Sequence, residues 1–400
     1  MSVSIDSKEK LIANACNAYE QHFGKQPQVF AVASGRINLI GEHVDYNDGF
    51  VLPMAIPLYT VVVGSKNDTE TCSVLTMSSA ITETREVQFN LNDLRPDTPR
   101  WANYLKGVIA KFPAPVSGFN AVITSSIPLG CGLSSSAALE VSFFTFLERL
   151  TDANLTISLK EKAELCQKAE QEYADVPCGI MDQLISFMGK EDHALLIDCR
   201  TLETEFIPIS DSNIAFLVCN SNVRHSLAES EYSNRRKACE QVASMLGKRS
   251  LRDVSIRELE TSVNVLTPEM YQFARYVITE IWRTQNAVDA LKKQEYKIFG
   301  TLMTQSHCSL RDDYKVSCVE IDELVEAALE CSEVYGSRMT GGGFGGCTIS
   351  LVQSDKVDKV IEHIQSKSRV EPQFFVVHAV GGSQHGQLSE SRTPVATQIL

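Results

Sequence analysis

The 400-residue sequence lacks the features that would assign it to a membrane, secreted or zinc-binding class of protein. No C-x-x-C pair occurs among its twelve cysteines and no histidine pattern lies beside them, so neither a zinc site nor a disulfide framework is indicated. No apolar run reaches about 18 residues, and residues 1–25 contain no apolar core of signal-peptide length. We therefore expect a cytosolic protein whose thiols are mostly buried and reduced.

Positive charge is scarce in this sequence. There are 37 Lys and Arg residues against 50 Asp and Glu residues, which gives a formal net charge of -13 and a pI near 5.2. Surfaces that bind nucleic acid or anionic membranes need clustered Lys and Arg. We therefore expect neither partner, and an anionic ligand would have to be held by a local site. The length and the hydrophobic fraction of 44% are typical of a globular protein of about two to three domains.

Apolar periodicity along the chain predicts a mixture of helices and strands. After Ser7, which can cap a helix, Leu11, Ile12, Ala15 and Tyr19 recur at helical spacing. The other predicted helices span residues 101–110, 158–173, 231–246 and 268–291. The predicted strands span residues 29–33, 60–64, 119–124, 347–351 and 374–377.

A polar break at residues 210–213, Ser-Asp-Ser-Asn, is the predicted boundary between two lobes. It divides the chain into an N-terminal lobe of residues 1–209 and a C-terminal lobe of residues 210–380. The segment that follows is rich in Gly, Ser, Gln and Thr and lacks apolar periodicity. We therefore expect residues 381–400 to form a mobile tail.

A glycine- and serine-rich segment, residues 128–138, joins a predicted strand to a predicted helix with the sequence Pro-Leu-Gly-Cys-Gly-Leu-Ser-Ser-Ser-Ala-Ala. Backbone N–H groups at such a helix start can bind a phosphate without a basic surface. Gly130 and Gly132 allow the main chain to approach the ligand closely, and serines 134–136 offer hydroxyls to phosphate oxygens or Mg²⁺. The G-x-x-x-x-G-K-[ST] pattern is absent, so this is not a Walker A loop. A serine-capped turn without a ligand is the alternative.

A polar segment between two predicted strands, residues 35–49, contains Arg36, Glu42, His43 and Asp45. Sugar hydroxyls both donate and accept hydrogen bonds, so carboxylates, an imidazole and amides in a rigid loop can discriminate between epimers. The alternative is a solvated loop whose charges pair with one another.

Two carboxylates fall on apolar surfaces and each needs a partner. Glu170 lies on the apolar face of a predicted helix, and Mg²⁺ held jointly with Ser136 would neutralise it. A glutamate at the rim that reaches water is the alternative. Asp182 lies in the apolar stretch 177–188, where an ionised carboxylate is costly without hydrogen bonds or a cation. We expect Arg36 to be the partner of Asp182.

Together these segments resemble the galactokinases, a family within the GHMP kinase superfamily. Residues 35–56 are similar to the galactokinase signature, although Ser34 and Val44 replace residues common in the family, a proline and a threonine. Residues 128–138 resemble the phosphate-loop motif, and residues 339–347, Met-Thr-Gly-Gly-Gly-Phe-Gly-Gly-Cys, resemble the third GHMP motif. The segment Asn222-Val-Arg-His-Ser-Leu227 also looks like a galactokinase segment. The resemblance covers about residues 10–380 and is strong toward animal galactokinases.

The resemblance implies an α+β, bilobal GHMP kinase fold with the site in the cleft between lobes. The N-terminal lobe would be similar to domain 2 of ribosomal protein S5, and the C-terminal lobe would be ferredoxin-like. It also implies an ATP-dependent sugar kinase that transfers the γ-phosphate directly to the C1 hydroxyl of galactose. The implied cofactor is Mg²⁺, with ATP as co-substrate, and the implied partners are small molecules bound by a monomer.

The site residues follow from the resemblance, position by position. Asp182 would accept or orient the proton of the C1 hydroxyl, and Arg36 would keep it ionised. The implied galactose contacts are Arg36, Glu42, His43, Asp45, Gly179, Asp182 and Tyr232. The implied ATP contacts are Trp101, Gly130, Gly132, Leu133, Ser134, Ser135 and Ser136, although Trp101 could also be a core anchor. The implied metal ligands are Ser136 and Glu170.

Two other functions fit parts of the same pattern. An N-acetylgalactosamine kinase shares the three motifs, but the shorter chain and the turn at residues 47–49, Asn-Asp-Gly, favour galactose. A non-catalytic galactose and ATP sensor, like the yeast inducer related to galactokinase, has a shortened phosphate loop. In this chain the stretch 134–138 is intact and Asp182 is present, which favours an enzyme.

Overall fold

The structure is a computed structural model that describes residues 2, 5–82, 84–224, 228–388 and 394–396. The segment 222–227, which resembles a galactokinase motif, therefore lies partly outside the described residues, at 225–227. The helices within the described residues are α1 (Lys8–Phe23), α2 (Trp101–Lys111), α3 (Ser135–Thr151), α4 (Leu159–Ala169), α5 (Met181–Met188), α6 (Ala228–Met245), α7 (Ile256–Thr261), α8 (Pro268–Lys292), α9 (Tyr296–Ser309), α10 (Val319–Leu329) and α11 (Val357–Lys367). None of these helices has the length and apolar character needed to cross a lipid bilayer.

The strands of the described residues form three sheets. The largest has the order β14-β13-β1-β3-β6-β4-β5, and the second has the order β10-β11-β9-β12. A small third sheet has the order β2-β7-β8. The bounds are β1 (Val29–Asn38), β2 (Phe50–Val51), β3 (Pro53–Lys66), β4 (Thr71–Thr76), β5 (Glu86–Asn90), β6 (Phe119–Ser125), β7 (His193–Asp198), β8 (Thr204–Pro208), β9 (Ile214–Arg224), β10 (Val334–Thr340), β11 (Gly345–Gln353), β12 (Gln373–Val377), β13 (Gln384–Leu388) and β14 (Pro394–Ala396).

Helices cover both faces of the largest sheet, which explains why its interior strand β1 is buried at all ten positions. Phe30 and Val32 point toward the apolar face of α1. Ala31 and Ala33 alternate to the opposite face, where they join a core that includes Phe143 of α3. The predicted opening helix is confirmed, because α1 buries the four apolar residues named above and starts at the Ser7 cap.

The second sheet is also covered on both faces, and the core on one of these faces contains residues of the first sheet as well. Phe216 and Val218 of β9 pack with α8, α9 and the far end of β1. Leu217 and Cys219 alternate to the other face, against α10 and α11. The end of β1, where the polar segment begins, is therefore held between the two halves of the molecule.

The C-terminal segment contains a strand where the sequence indicated a mobile tail. Gln384–Leu388 forms β13, which pairs antiparallel with β1 from Val29↔Gln387 to Val32↔Gln384. The expectation of a mobile tail is wrong for these five residues. This strand is held by backbone hydrogen bonds, which leave no apolar pattern in the sequence. The division into lobes at residues 210–213 falls between β8 and β9 and stays a prediction.

The helix predicted at residues 158–173 ends differently in the structure. The regular helix α4 stops at Ala169, and Glu170–Ala174 forms a wider π-type turn. Such turns occur frequently at functional sites because they change the direction of a side chain without ending the helix. Here the wide turn begins at Glu170, one of the residues predicted to bind a metal.

Candidate active site

Arg36 and Asp182, which are 146 residues apart in the chain, form a two-pronged ion pair. Nε and Nη2 of Arg36 donate to Oδ1 and Oδ2 of Asp182, each at 2.8 Å. Arg36 projects from β1 and is only 5% exposed, and Asp182 lies in the first turn of α5. The pairing expected from the cost of burying Asp182 is therefore present. A planar pair of this kind fixes the orientation of the carboxylate as well as its charge.

The phosphate loop supplies further contacts to this pair. The hydroxyl of Ser134 donates to Oδ2 of Asp182, and Nη1 of Arg36 donates to the carbonyl of Gly132. The carbonyl of Leu133 accepts from the backbone N–H of Arg36 at 3.2 Å. Helix α3 starts one residue after Ser134 without a side-chain cap, so its first amides are not occupied by a capping side chain. The loop, the arginine and the aspartate thus form one unit.

The glycine-rich loop between β10 and β11 packs directly on the phosphate loop. A Cβ atom on Gly341 would lie 2.7 Å from the carbonyl oxygen of Gly132, and one on Gly346 would lie 2.7 Å from that of Cys131. Both glycines also have positive φ angles. Only glycine fits such a close approach of two backbones. The contact explains why the third motif consists almost entirely of glycine.

A cavity of about 240 Å³ lies where these three segments meet. Its lining includes the aspartate, the arginine, the phosphate loop and the glycine-rich loop. The lining residues are Arg36, Gly130, Gly132, Ser134, Ser135, Ser136, Asp182, Tyr232, Thr340, Gly342, Gly343, Phe344, Gly345 and Gly346. Polar groups that converge on a small cavity are the usual arrangement of a ligand site.

A second cavity of about 490 Å³ shares Gly130, Ser135 and Ser136 with the first. Trp101 lines it, and the indole N–H donates to the carbonyl of Thr84 at 3.0 Å. The shared residues belong to the phosphate loop, so a nucleotide can place its base in the larger cavity and its phosphates at the smaller one. Trp101 is therefore in a position to contact the base.

Glu170 and Ser136 lie close together beside these cavities. Both line the larger cavity, and the carboxylate of Glu170 is buried. Burial raises the pKa of Glu170 to about 7, and hydrogen bonds from Cys178 and Ser136 act in the opposite direction. Nε2 of Gln183 also donates to Glu170, at 2.7 Å.

Gln183 and Glu140 are functional candidates that the sequence did not reveal. Gln183 is fully buried next to Asp182, and its amide nitrogen bridges Glu170 and Glu140, the latter at 3.0 Å. Burial, reinforced by the charge of Glu170, raises the pKa of Glu140 well above its usual value. Glu140 lies one helical turn after Ser136 among apolar residues of α3, and that isolated charge was the signal available in the sequence.

Glu42 is buried and accepts four hydrogen bonds, which is the usual capacity of a carboxylate. Oε1 accepts from the hydroxyl of Thr340 at 3.1 Å and from the N–H of Gly341 at 2.8 Å. Oε2 accepts from Asn38 and from Arg338, both at 2.7 Å. Glu42 thus connects the polar segment to the strand and loop of the third motif.

His43 makes a similar connection with both ring nitrogens. Nε2 lies 3.0 Å from the carbonyl oxygen of Gly342, and Nδ1 lies 2.6 Å from the hydroxyl of Tyr46. Burial lowers the pKa of His43 to about 4, so the ring is neutral. A neutral ring with Nε2–H donating to the carbonyl then accepts from Tyr46. The ring of Tyr232 lies beside it, with 5.2 Å between ring centroids.

Asp45 and Gly179 are in direct contact. A Cβ atom on Gly179 would lie 1.8 Å from Oδ2 of Asp45, so this position accommodates only glycine. Burial and, next, the charge of Asp182 raise the pKa of Asp45 to about 6. Both residues line a neighbouring cavity of about 250 Å³. Of the predicted sugar contacts, the cavity of about 240 Å³ thus gathers Arg36, Asp182 and Tyr232, while the other four lie beside or behind it.

Models of known families match three segments of the chain. The galactokinase galactose-binding signature matches residues 17–66. The N-terminal domain model of the GHMP kinases matches residues 103–190, and the C-terminal model matches residues 287–369. These segments contain the polar segment, the phosphate loop and the glycine-rich loop.

Curated proteins and solved structures are similar over nearly the full length. The galactokinases of Bos taurus and Homo sapiens are each 52% identical over 380 residues, covering 94% of this chain and 96% of theirs. A galactokinase of Haemophilus influenzae is 41% identical, covering 93% of this chain and 98% of its own. The structure of Lactococcus lactis galactokinase complexed with galactose is 30% identical with a TM-score of 0.88, and covers 94% of this chain and 99% of that one. This match confirms the predicted GHMP kinase fold.

Proposed function

The chain belongs to the galactokinase family of the GHMP kinases, and from this premise we propose that it transfers the γ-phosphate of ATP to the C1 hydroxyl of D-galactose. The products would be α-D-galactose 1-phosphate and ADP. The observation that carries the proposal is the carboxylate of Asp182, held by Arg36 and Ser134 at the wall of a cavity that the phosphate loop also lines. A carboxylate beside a phosphate site, placed to accept or orient the proton, is what transfer to a hydroxyl group requires.

Asp182 accepts or orients the proton of the sugar hydroxyl in this proposal. Its two bonds with Arg36 place a positive charge beside the carboxylate and fix the direction of its lone pairs. The remaining positive charge of Arg36 stabilises the negative charge that develops on the transferred group. Because the transition state of phosphoryl transfer is loose, most of the acceleration comes from alignment and from electrostatic stabilisation. No covalent intermediate is needed.

The phosphate loop supplies the anion site. The amides at the start of α3 and the positive end of the helix dipole favour the triphosphate without a lysine. The glycine-rich loop covers the same cavity from the opposite side and excludes water there. Trp101 contacts the adenine in the larger cavity.

Mg²⁺ fits the donor set at Ser136 and Glu170. A hydroxyl and a carboxylate oxygen are hard ligands of the type that Mg²⁺ prefers, and a nearby cation offsets the cost of ionising buried Glu170. The described residues contain no group of three or more His, Cys, Asp or Glu side chains suited to a metal, so phosphate oxygens and water would complete the coordination. When bound, the ion neutralises phosphate oxygens.

A coupled assay of ADP release with a panel of sugars tests the substrate. We expect turnover with galactose and at least about tenfold lower kcat/KM with N-acetylgalactosamine, because an added acetamido group must fit a closed polar site. Turnover that favours N-acetylgalactosamine would identify the other kinase. Binding of galactose and ATP without ADP release would identify a sensor.

The metal site is tested by Ser136→Ala and Glu170→Gln, with Glu172→Gln as a matched control. Glu172 lies in the same wide turn but is exposed and paired with Lys111. Both site variants should raise the Mg²⁺ concentration needed for half-maximal activity, and the control should not. An unchanged Mg²⁺ dependence in both site variants would remove these residues from the metal site.

We further propose that the chain acts as a monomer in the cytosol. All twelve cysteines are free, as expected in a reducing compartment, and residues of one chain suffice to form the cavity. Light scattering after size exclusion should give a mass near 44.2 kDa. A mass of twice that value at assay concentrations would contradict the monomer.

A further inference from the structure

Four buried charged side chains form a chain of alternating sign behind the polar segment. Nη1 of Arg338 lies 2.7 Å from Oε2 of Glu42, and its Nη2 lies 4.0 Å from Oε1 of Glu280. Nε of Arg283 donates to the other oxygen of Glu280 at 2.7 Å. Arg338 and Glu280 are completely buried, and Glu42 is 2% exposed. Arg338 lies on β10, while the Glu280 and Arg283 pair lies on α8.

Arg338 and Glu280 hold the polar segment at several points. Nη1 of Arg338 donates to the carbonyl of Asn38 at 3.0 Å as well as to Glu42. Oε1 of Glu280 accepts from the N–H of Gly41 at 3.0 Å. The segment from Asn38 to Glu42 is therefore fixed at both ends, and Arg338 contacts each end with the same nitrogen.

The stability of the fold does not account for Arg338. Within the described part of the chain, its Nε and Nη2 atoms are buried without a hydrogen-bond partner. Buried donors without partners are destabilising. Replacing a buried ion pair by well-packed apolar residues is often neutral or stabilising. The buried guanidinium of Arg338 therefore indicates a role other than stabilising the fold.

We propose that Arg338 is a positioning residue for sugar recognition, which acts by holding Glu42 and the carbonyl of Asn38 in the geometry that the sugar requires. Arg338 is completely buried and lines none of the three cavities described above, so it does not touch the substrates. This inference rests on the proposed function, and on Glu42 being a galactose contact, as the resemblance to galactokinases implies. Its effect should therefore fall on galactose and leave the nucleotide unaffected.

The test compares Arg338→Lys and Arg338→Met with Arg283→Met as the matched control. Lysine keeps the positive charge but loses the planar fork, whereas methionine loses both. Arg283 belongs to the same buried chain but makes no hydrogen bond to the polar segment. The measurements are kcat, KM for galactose, KM for ATP, melting temperature, and the Kd for galactose without nucleotide.

We expect Arg338→Lys to raise KM and Kd for galactose by about tenfold, with KM for ATP changed less than about twofold, as loss of a charged hydrogen bond predicts. Arg283→Met should lower the melting temperature and leave both KM values within about twofold. A double variant with Glu42→Gln should lose less galactose binding than the sum of the two single effects, because Arg338 acts in part through Glu42.

Two results would overturn the assignment. One is a folded Arg338→Lys variant that binds galactose with the wild-type Kd. The other is an equal rise of both KM values, which a general loss of structure would cause. If Arg338→Met does not fold, the lysine variant decides alone. Failure of the wild-type protein to phosphorylate galactose would refute the proposed function instead, and the Kd measurement would still test Arg338.

Discussion

The carboxylate of Asp182 is held by two bonds from Arg36 and one from Ser134, and none of these partners can replace it as a proton acceptor. Asp182→Ala should therefore lower kcat by at least about 100-fold, the usual contribution of general acid–base catalysis. The Kd for ATP should change less than about threefold, because the amides of the phosphate loop remain. Steady-state kinetics and nucleotide titration measure the two effects.

Asp182→Asn is the matched variant for this experiment. It keeps the shape of the side chain and one acceptor oxygen for Arg36, but it loses the negative charge. The same loss of kcat is expected in both variants. A kcat near the wild-type value in either one would show that the carboxylate is not required for the reaction.

The raised pKa of Asp45 predicts that the stability of the folded protein depends on pH. Burial raises the pKa of Asp45 from its usual value of 3.8 to about 6. Between these pH values the folded protein binds more protons than the unfolded chain. The free energy of unfolding therefore falls as the pH rises through about 6. Asp45→Asn removes that loss. It should raise the stability of the ligand-free protein by about 3 kcal/mol above pH 7, and by almost nothing below pH 4.

Melting temperatures of both proteins, measured without ligands from pH 4 to pH 8, check this expectation. Oδ1 of Asp45 accepts from the N–H of Tyr46, and the amide oxygen of asparagine can accept the same bond. A difference in melting temperature that does not vary with pH would show that ionisation of Asp45 has no part in it.

Some of these residues could be predicted from sequence and others could not. A carboxylate inside an apolar stretch must have a partner, and the expected pairing of Asp182 with Arg36 is present in the structure. Arg338 and Gln183 were not predicted, because their function depends on partners that only folding brings near. Arg338 contacts Glu42 across 296 positions of the sequence, and no local pattern records such a contact.

At the level of the elements, the contact between the phosphate loop and the glycine-rich loop has a direct test. Gly341 has a φ of +86°, and a Cβ atom there would lie 2.7 Å from the carbonyl oxygen of Gly132. Gly341→Ala should therefore cost about 1–3 kcal/mol of stability and lower kcat/KM, because the two loops must separate. Thermal unfolding and steady-state kinetics check both effects.

Gly342→Ala is the control in the same loop. Its φ is not positive, and the nearest atom to an added Cβ would be a ring carbon of Tyr232 at an ordinary distance of 3.7 Å. We expect its melting temperature to stay close to that of the wild type. Equal destabilisation by both variants would contradict a specific contact at Gly341.

Some secondary-structure elements could be predicted from sequence patterns and others could not. Some strands and helices with an apolar face were predicted, as α1, β6 and α8 illustrate, because burial imposes a period on the sequence. The helix α11 also buries an apolar face but was not predicted. Two features without such a period were missed as well. The wide turn at Glu170–Ala174 depends on a change of hydrogen-bond pattern, and β13 is held by its backbone.

At the level of the whole molecule, β13 links the C-terminal part of the chain to the first sheet. Ending the chain after Ser383 removes this strand and leaves one edge of β1 unpaired, and β1 carries Arg36 toward the site. We expect a clearly lower melting temperature and lost activity, because the strand's backbone bonds with β1 are lost and an open edge promotes aggregation. Calorimetry and light scattering check this.

Ending the chain after Leu388 is the matched control, because it keeps β13 and its four paired positions. This shorter deletion should retain most of the melting temperature and the activity. If both truncated proteins behaved alike, the pairing of β13 with β1 would have no role in stability.

The pairing of β1 with β13 also sets an order of events during synthesis. The ribosome releases β1 early, but its partner on this edge is among the last strands to emerge. Until then the nascent protein carries an unpaired strand edge that can associate with other chains. The largest sheet can therefore be completed only after β13 has been synthesised, long after β1.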